Sequence, residues 1–194
     1  MAELVALTGE PLALDFVNTA ANTPDGPVDL LATRAHLRTW LDCEAGRFPD
    51  LGAIDVSAVS AADIATLHKV REYVASAIES ARGGAVPSAR ALAGINTALR
   101  GAPAVSELVV REGNLRALTH RKGSAAAAIA SRVAEAAAEL LTSSDVMKIR
   151  ECDASFCVLL FLPAHPRRRW CSPTLCGNRA RVARYYQRHK AQHA

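Results

Sequence analysis

With 194 residues, half of them hydrophobic, the chain can fold one domain of ordinary size and a small appendage. The longest apolar stretch, Ala125 to Leu141, is broken by Arg132, Glu135 and Glu139, which excludes a bilayer span. No basic-then-apolar leader follows Met1-Ala2-Glu3-Leu4, so the expected setting is the cytoplasm, where thiols stay reduced. The net charge of +4 conceals a division: residues 1–145 hold 13 Lys and Arg against 17 Asp and Glu, whereas residues 146–194 hold 10 against 2. No acid follows Asp153. That polarity points to an acidic body carrying a module that seeks a polyanion.

In chain order, Leu12 to Thr19 alternates and then turns polar, which predicts a short strand or an extended lead-in. Residues 21–28, with Asn22, Pro24, Asp25, Gly26 and Pro27, read as a loop. Asp29 as an N-cap predicts a helix to about Glu44, with Leu30, Leu37 and Leu41 at helical spacing and Gly46 beyond its end. Ser60 and Asp63 have the spacing of a capping box, opening a helix buried through Ile64, Leu67, Val70, Val74 and Ile78 and stopped by Gly83-Gly84. A shorter helix follows from Ser88, buried through Leu92, Ile95 and Leu99. The β-favouring runs 105–111 and 115–120 flank Glu112-Gly113-Asn114, a hairpin signal. Ser124 to Ser143 is an alanine-rich helix with Ile129, Val133, Ala136 and Leu140 on one face. Thr142 to Asp145 is the boundary, short enough for the two parts, 1–145 and 146–194, to pack together.

Beyond it the sequence runs Cys152-Asp-Ala-Ser-Phe-Cys157, thirteen residues, then Cys171-Ser-Pro-Thr-Leu-Cys176. Two C-x4-C pairs of equal spacing can bring four thiolates to one metal, a closed tetrahedral set that suits structural Zn2+. Two disulfides or an iron–sulfur cluster are the alternatives, and reduced thiols argue against the first. Forty-odd residues are too few to build a good core unaided, which also favours a metal. His165 lies in the loop Pro163 to Pro166 between two expected short strands, Val158 to Leu162 and Arg167 to Trp170. A solvated loop histidine is the plainer reading of it. His189 and His193 stand at H-x3-H spacing, but four cysteines already saturate the metal. Cys43 reads as a buried small hydrophobe.

Arg168-Arg-Trp-Cys171, Leu160-Phe161, Cys176-Gly-Asn-Arg179 and the basic segment after them resemble the CGNR zinc finger. Leu14-Asp-Phe-Val-Asn-Thr19, the Leu37/Trp40 helix and Leu67-His-Lys-Val-Arg71 are similar to the helical ABATE domain that precedes such fingers. The resemblance implies a bacterial regulator of transcription, stress-linked. The implied fold class is α+β, mainly α: a helical N-terminal domain with a small β-hairpin, then a four-cysteine finger of β-hairpin and helix.

Asn178 is a good N-cap for a helix to about Lys190, and Gly177 would let backbone N–H groups approach sulfur. On that helix Arg181, Arg184 and Arg188 form one stripe, while Val182 and Tyr186 share another face suited to packing. With Arg167, Arg168, Arg169, Arg179 and Lys190 they suit the phosphate backbone of duplex DNA. The plainer alternatives are a solvated helix or docking on an acidic protein surface. In the body no P-loop, dinucleotide fingerprint, nucleophile elbow or H-E-x-x-H occurs, so no enzyme is expected. Asp15, Asn18, Trp40 and Arg71 are the candidates for lining a small-molecule pocket, the rival reading being a ligand-binding or enzymatic body with a zinc-stabilised tail. Their plainer roles are a cap, a turn, a core residue and an ion pair. The effector stays unknown, and a homodimer through residues 1–145, built on close-packing alanine helices, is expected because one finger reads too few bases.

Overall fold

Small hydroxyl side chains start the long helices. Thr33, Ser60, Ser88 and Ser124 each accept the N–H three residues on, at 3.2 Å, and so satisfy a donor that the first helical turn leaves open. At Ser60 the box is closed by Asp63, whose carboxylate takes the Ser60 N–H at 2.9 Å.

The computed structural model describes residues 8–23, 26–155 and 157–190. In order these form α1 (Leu12–Val17), β1 (Ala20–Thr23), β2 (Gly26–Asp29), α2 (Arg34–Glu44), the short α3 (Pro49–Gly52), α4 (Ala61–Arg82) and α5 (Ala89–Gly101). The hairpin β3 (Ala104–Arg111) and β4 (Asn114–Arg121) leads into α6 (Ala125–Thr142). A 3-10 turn (Val146–Lys148), β5 (Arg150–Glu151), β6 (Leu160–Phe161) and α7 (Cys176–Lys190) follow. The fold class is therefore α+β and mainly α. Among the described residues no helix is long and apolar enough to cross a membrane.

The core lies where α4, α5 and α6 pack on one another and on α1. Alanines line the contacts: Ala77, Ala91, Ala98, Ala126, Ala130, Ala134 and Ala137 are buried, so the helix backbones approach closely. Phe16 and Trp40 meet at 5.5 Å between ring centroids, tilted by 60°.

Several expectations are corrected. Leu12 to Val17 is a helix, not a strand; Leu12, Ala13, Leu14 and Phe16 are all buried, and a helix buried on every side leaves no clean period to read. The expected loop at 21–28 is a β-hairpin, paired from Ala20 with Asp29 to Thr23 with Gly26. Asp29 does not cap α2. Its carboxylate takes the Leu31 N–H and both Nη groups of Arg71, at 2.7 and 2.6 Å, and Thr33 caps instead. Leu92 is exposed, because Ala91, Ile95 and Ala98 form the inner face of α5. On α6 Ala137 is inside and Ala136 only half-buried. The second hairpin stands as expected, with Glu112 (φ 51°) and Gly113 (φ 75°) both left-handed in its two-residue turn.

Val146, Ile149 and Leu160 belong to the same core as the body, so the C-terminal part is docked. Asn18 acts there as a surrogate strand. Its amide donates to the Leu160 carbonyl at 2.8 Å and accepts the Leu160 N–H at 2.9 Å.

Candidate metal centre

The four cysteines arrive from three pieces of chain. Cys152 follows β5, and its N–H donates to the Leu159 carbonyl at 3.0 Å. A turn closed by Cys157 N–H to Ala154 C=O, at 3.1 Å, swings Cys157 back to it. Asp153 N–H to Arg169 C=O, at 2.9 Å, ties this turn to the second, where Cys171 N–H donates to the Cys152 sulfur at 3.3 Å. Ser172 then shapes the start of α7: its Oγ takes the Leu175 N–H and its carbonyl the Gly177 N–H. Cys176 is the first residue of that helix.

The Sγ atoms of Cys152, Cys157, Cys171 and Cys176 all lie within 4.8 Å of one another, with 3.8 Å from Cys157 to Cys171 and 3.5 Å from Cys171 to Cys176. A disulfide needs ~2.0 Å. A tetrahedron with metal–sulfur bonds of ~2.3 Å has edges of about 3.8 Å. All four are free thiols, so the cluster has the size and chemistry of a four-thiolate metal site. Crowding sets the sulfurs in competition. Cys152 is held down to about 2 by the hydrogen bonds it receives from Cys157 and Cys171, while the Cys157 thiol is pushed up to about 12 chiefly by its bond to Cys152. Cys171 is pushed well up for the same reason. A central cation lets all four be thiolates at once.

Around the sulfurs pack Ala154 and the Trp170 ring. The Gly177 N–H goes to a carbonyl rather than to sulfur, and a Cβ at that position would lie 3.4 Å from the Trp170 ring. His165 turns the loop, its Nδ1 accepting the Arg167 N–H at 3.1 Å, and His189 lies on Tyr185 with centroids 3.9 Å apart. His193 lies outside the described residues. Two further expectations change. The strand paired with β6 is β5, not Arg167 to Trp170, whose carbonyls at Arg169 and Trp170 meet an Asp153 N–H and the Arg168 side chain. Asn178 does not cap α7, since the helix already runs at Cys176.

The basic residues divide into two sets. Arg168 is engaged internally: it pairs with Glu10 at 2.6 Å, donates to the Trp170, Leu162 and Cys171 carbonyls, and lies 4.5 Å over the Phe161 ring. Arg169 pairs with Asp153 at 2.6 Å beside Trp170. Arg167, Arg179, Arg181 and Arg184 are exposed, with Arg184 5.9 Å from Trp170. The side chains of Arg188 and Lys190 lie outside those described. Val182, Tyr185 and Tyr186 are exposed, so the face expected to pack on the finger or body does not.

The pocket candidates do not converge. Asp15 is buried beside Arg47 at 2.6 Å and takes the Gly9 and Glu10 N–H groups; Trp40 is core; Arg71 holds Asp29 and Thr19. Asn18 borders a cavity of about 180 Å3, shared with Glu10, Leu160, Arg168 and Cys171 between body and finger. Glu10 is the residue the sequence did not flag: its carboxylate takes the Leu162 N–H and Arg168, and pairs 158 positions apart leave no local signal.

This seam gives a direct expectation. Asn18→Ala leaves the buried Leu160 N–H and C=O without partners, a cost of about 1–3 kcal/mol. Thermal unfolding and limited proteolysis should show lower stability and earlier cleavage around residue 160; unchanged cleavage would mean that Asn18 does not hold the finger.

Comparison with known proteins agrees with this architecture. The ABATE family model, described as "putative stress-induced transcription regulator", matches residues 10–144, and the CGNR zinc finger model matches residues 148–189. No curated protein matches the chain. With more than half its length under the first of these models, the chain belongs to the ABATE family and ends in a CGNR zinc finger.

Proposed function

We propose that this protein is a non-catalytic, DNA-binding regulator of transcription that works as a cytoplasmic homodimer, its finger fixed by Zn2+ and laid against the duplex backbone. The observation that carries the reading is α7. Its first turn is pinned by Cys176, and from Arg181 onward every described side chain is exposed. The chain has no acid after Asp153. Arg181 and Arg184 lie three apart on one stripe, with the Tyr185 and Tyr186 hydroxyls nearby as further phosphate donors. Zinc suits the donor set, since four soft thiolates close the coordination sphere and leave no position for water or substrate.

Counterion release supplies the test. Four to six phosphate contacts give log K against log[salt] a slope of about −4 to −5. Replacing both Arg181 and Arg184 with Ala should flatten that slope by about 2 and leave the fold intact, because both side chains are exposed. Gel-shift titrations at several salt concentrations measure it. An unchanged slope would remove α7 from the interface.

A further inference from the structure

We infer that two copies of this chain join edge to edge through β3, forming one four-stranded antiparallel sheet with the two-fold axis at Val109. The inference deepens the dimer proposed above and names its surface. The alanine faces cannot supply that surface, because they are buried within the body.

The β3–β4 hairpin is a sheet of two strands, eight residues each, and no third strand pairs with it among the described residues. A lone two-stranded ribbon is marginal in water, and a long unpaired edge is a ready template for another strand. One face of its tip is apolar and open: Leu108, Val110 and Leu115 are 69%, 71% and 68% exposed, and Ala117 stands opposite Leu108.

Backbone and charge then select the edge and the register. Arg111 and Asn114 flank a two-residue turn and bond to each other, so the odd-numbered residues of β3 bond inward to β4. The N–H and C=O groups of Ser106, Leu108 and Val110 therefore point outward. Antiparallel pairing centred on Val109 sets Leu108 against Val110 of the second copy, with outward groups meeting outward groups. It also sets Glu107 against Arg111 of the second copy, twice by symmetry, and joins the two apolar tips across the axis. The outer edge of β4 offers no such match. It carries no acid, and its Arg121 is already held by Glu135, so a symmetric pairing there offers no opposite-charge pair.

Sedimentation velocity on the full chain, without DNA, tests this. The wild type should sediment as a dimer at micromolar concentration. Glu107→Arg and Arg111→Glu should each weaken dimerisation about tenfold or more, since each reverses two cross-strand pairs, while circular dichroism stays unchanged. The double reversal should restore the dimer. A strict monomer, or a dimer indifferent to both reversals, would overturn the edge pairing. A monomer that keeps the expected salt slope would leave the DNA reading standing, and a β3 dimer without DNA affinity would do the opposite.

Discussion

Purified protein should carry one zinc per chain, and its removal should release α7 while the helical body stays folded. Beyond the seam that Asn18 and Glu10 make with Leu160, Leu162 and Arg168, the finger has little else to hold it. Its own buried cluster is Cys152, Ala154 and Cys176, with Cys157, Cys171 and Trp170 partly covered. Its sheet is two residues on each strand. Helix α7 has 15 residues, its side chains from Arg181 to Tyr186 are exposed, and helices of ~12–15 residues are marginal alone in water. Structural zinc contributes ~10–16 kcal/mol in comparable modules. The body differs, since its core is continuous and needs no metal. Cys176→Ser, or chelation, should therefore lose the α7 share of the helical signal and open residues beyond Pro166 to protease. Leu160, docked in the body and bound to Asn18, should remain protected. Elemental analysis without stoichiometric zinc, or an α7 still ordered after chelation, would refute this.

The features that could be read from the sequence were those whose cause is local. Ser60, Ser88 and Ser124 cap helices because a hydroxyl reaches an N–H three residues away. Glu112-Gly113 makes a hairpin because Gly113 enters the left-handed region without a Cβ to clash, and Glu112 is drawn into it with φ 51°. Paired C-x4-C spacing works in the same way, each turn closing on itself. Where the cause is distant, the sequence misled. Asp29 looks like a cap until Arg71, 42 positions on, claims its carboxylate. Arg168 looks like a phosphate ligand until Glu10 claims it. β6 pairs with β5 where Asn18 and the body core hold Leu160, and Arg167 to Trp170 wraps the metal turn instead. The finger's charge could thus be counted from the sequence, but which arginines face outward is decided by the body.

That division of arginines depends on one buried polar knot, and breaking it should be costly. Asp15 and Glu44 have fully buried side chains, and Arg47, 38% exposed, is the cation between them, at 2.6 and 3.2 Å. Arg47 also donates to the Glu10 carbonyl, and Asp15 accepts the Glu10 N–H, so the knot positions the residue that grips Arg168 and Leu162. Burial, then the neighbouring Glu44 charge, pushes the Asp15 carboxyl up to about 8, and burial raises Glu44 as well. For an acid with a raised folded-state pKa, its contribution to stability is complete below its unfolded value near pH 4 and is lost as pH rises through about 8. Arg47→Met removes the cation that pairs with both buried carboxyls. At pH 8 the loss should be about 3 kcal/mol, the low end for breaking a buried pair because Arg47 is partly solvated. At pH 5 much of that deficit should vanish, since the Asp15 carboxyl is then protonated and needs no counterion. Urea unfolding at the two pH values measures both numbers. A deficit of equal size at pH 5 and pH 8 would show that Arg47 acts through packing on Phe48, 4.9 Å away, and not through charge.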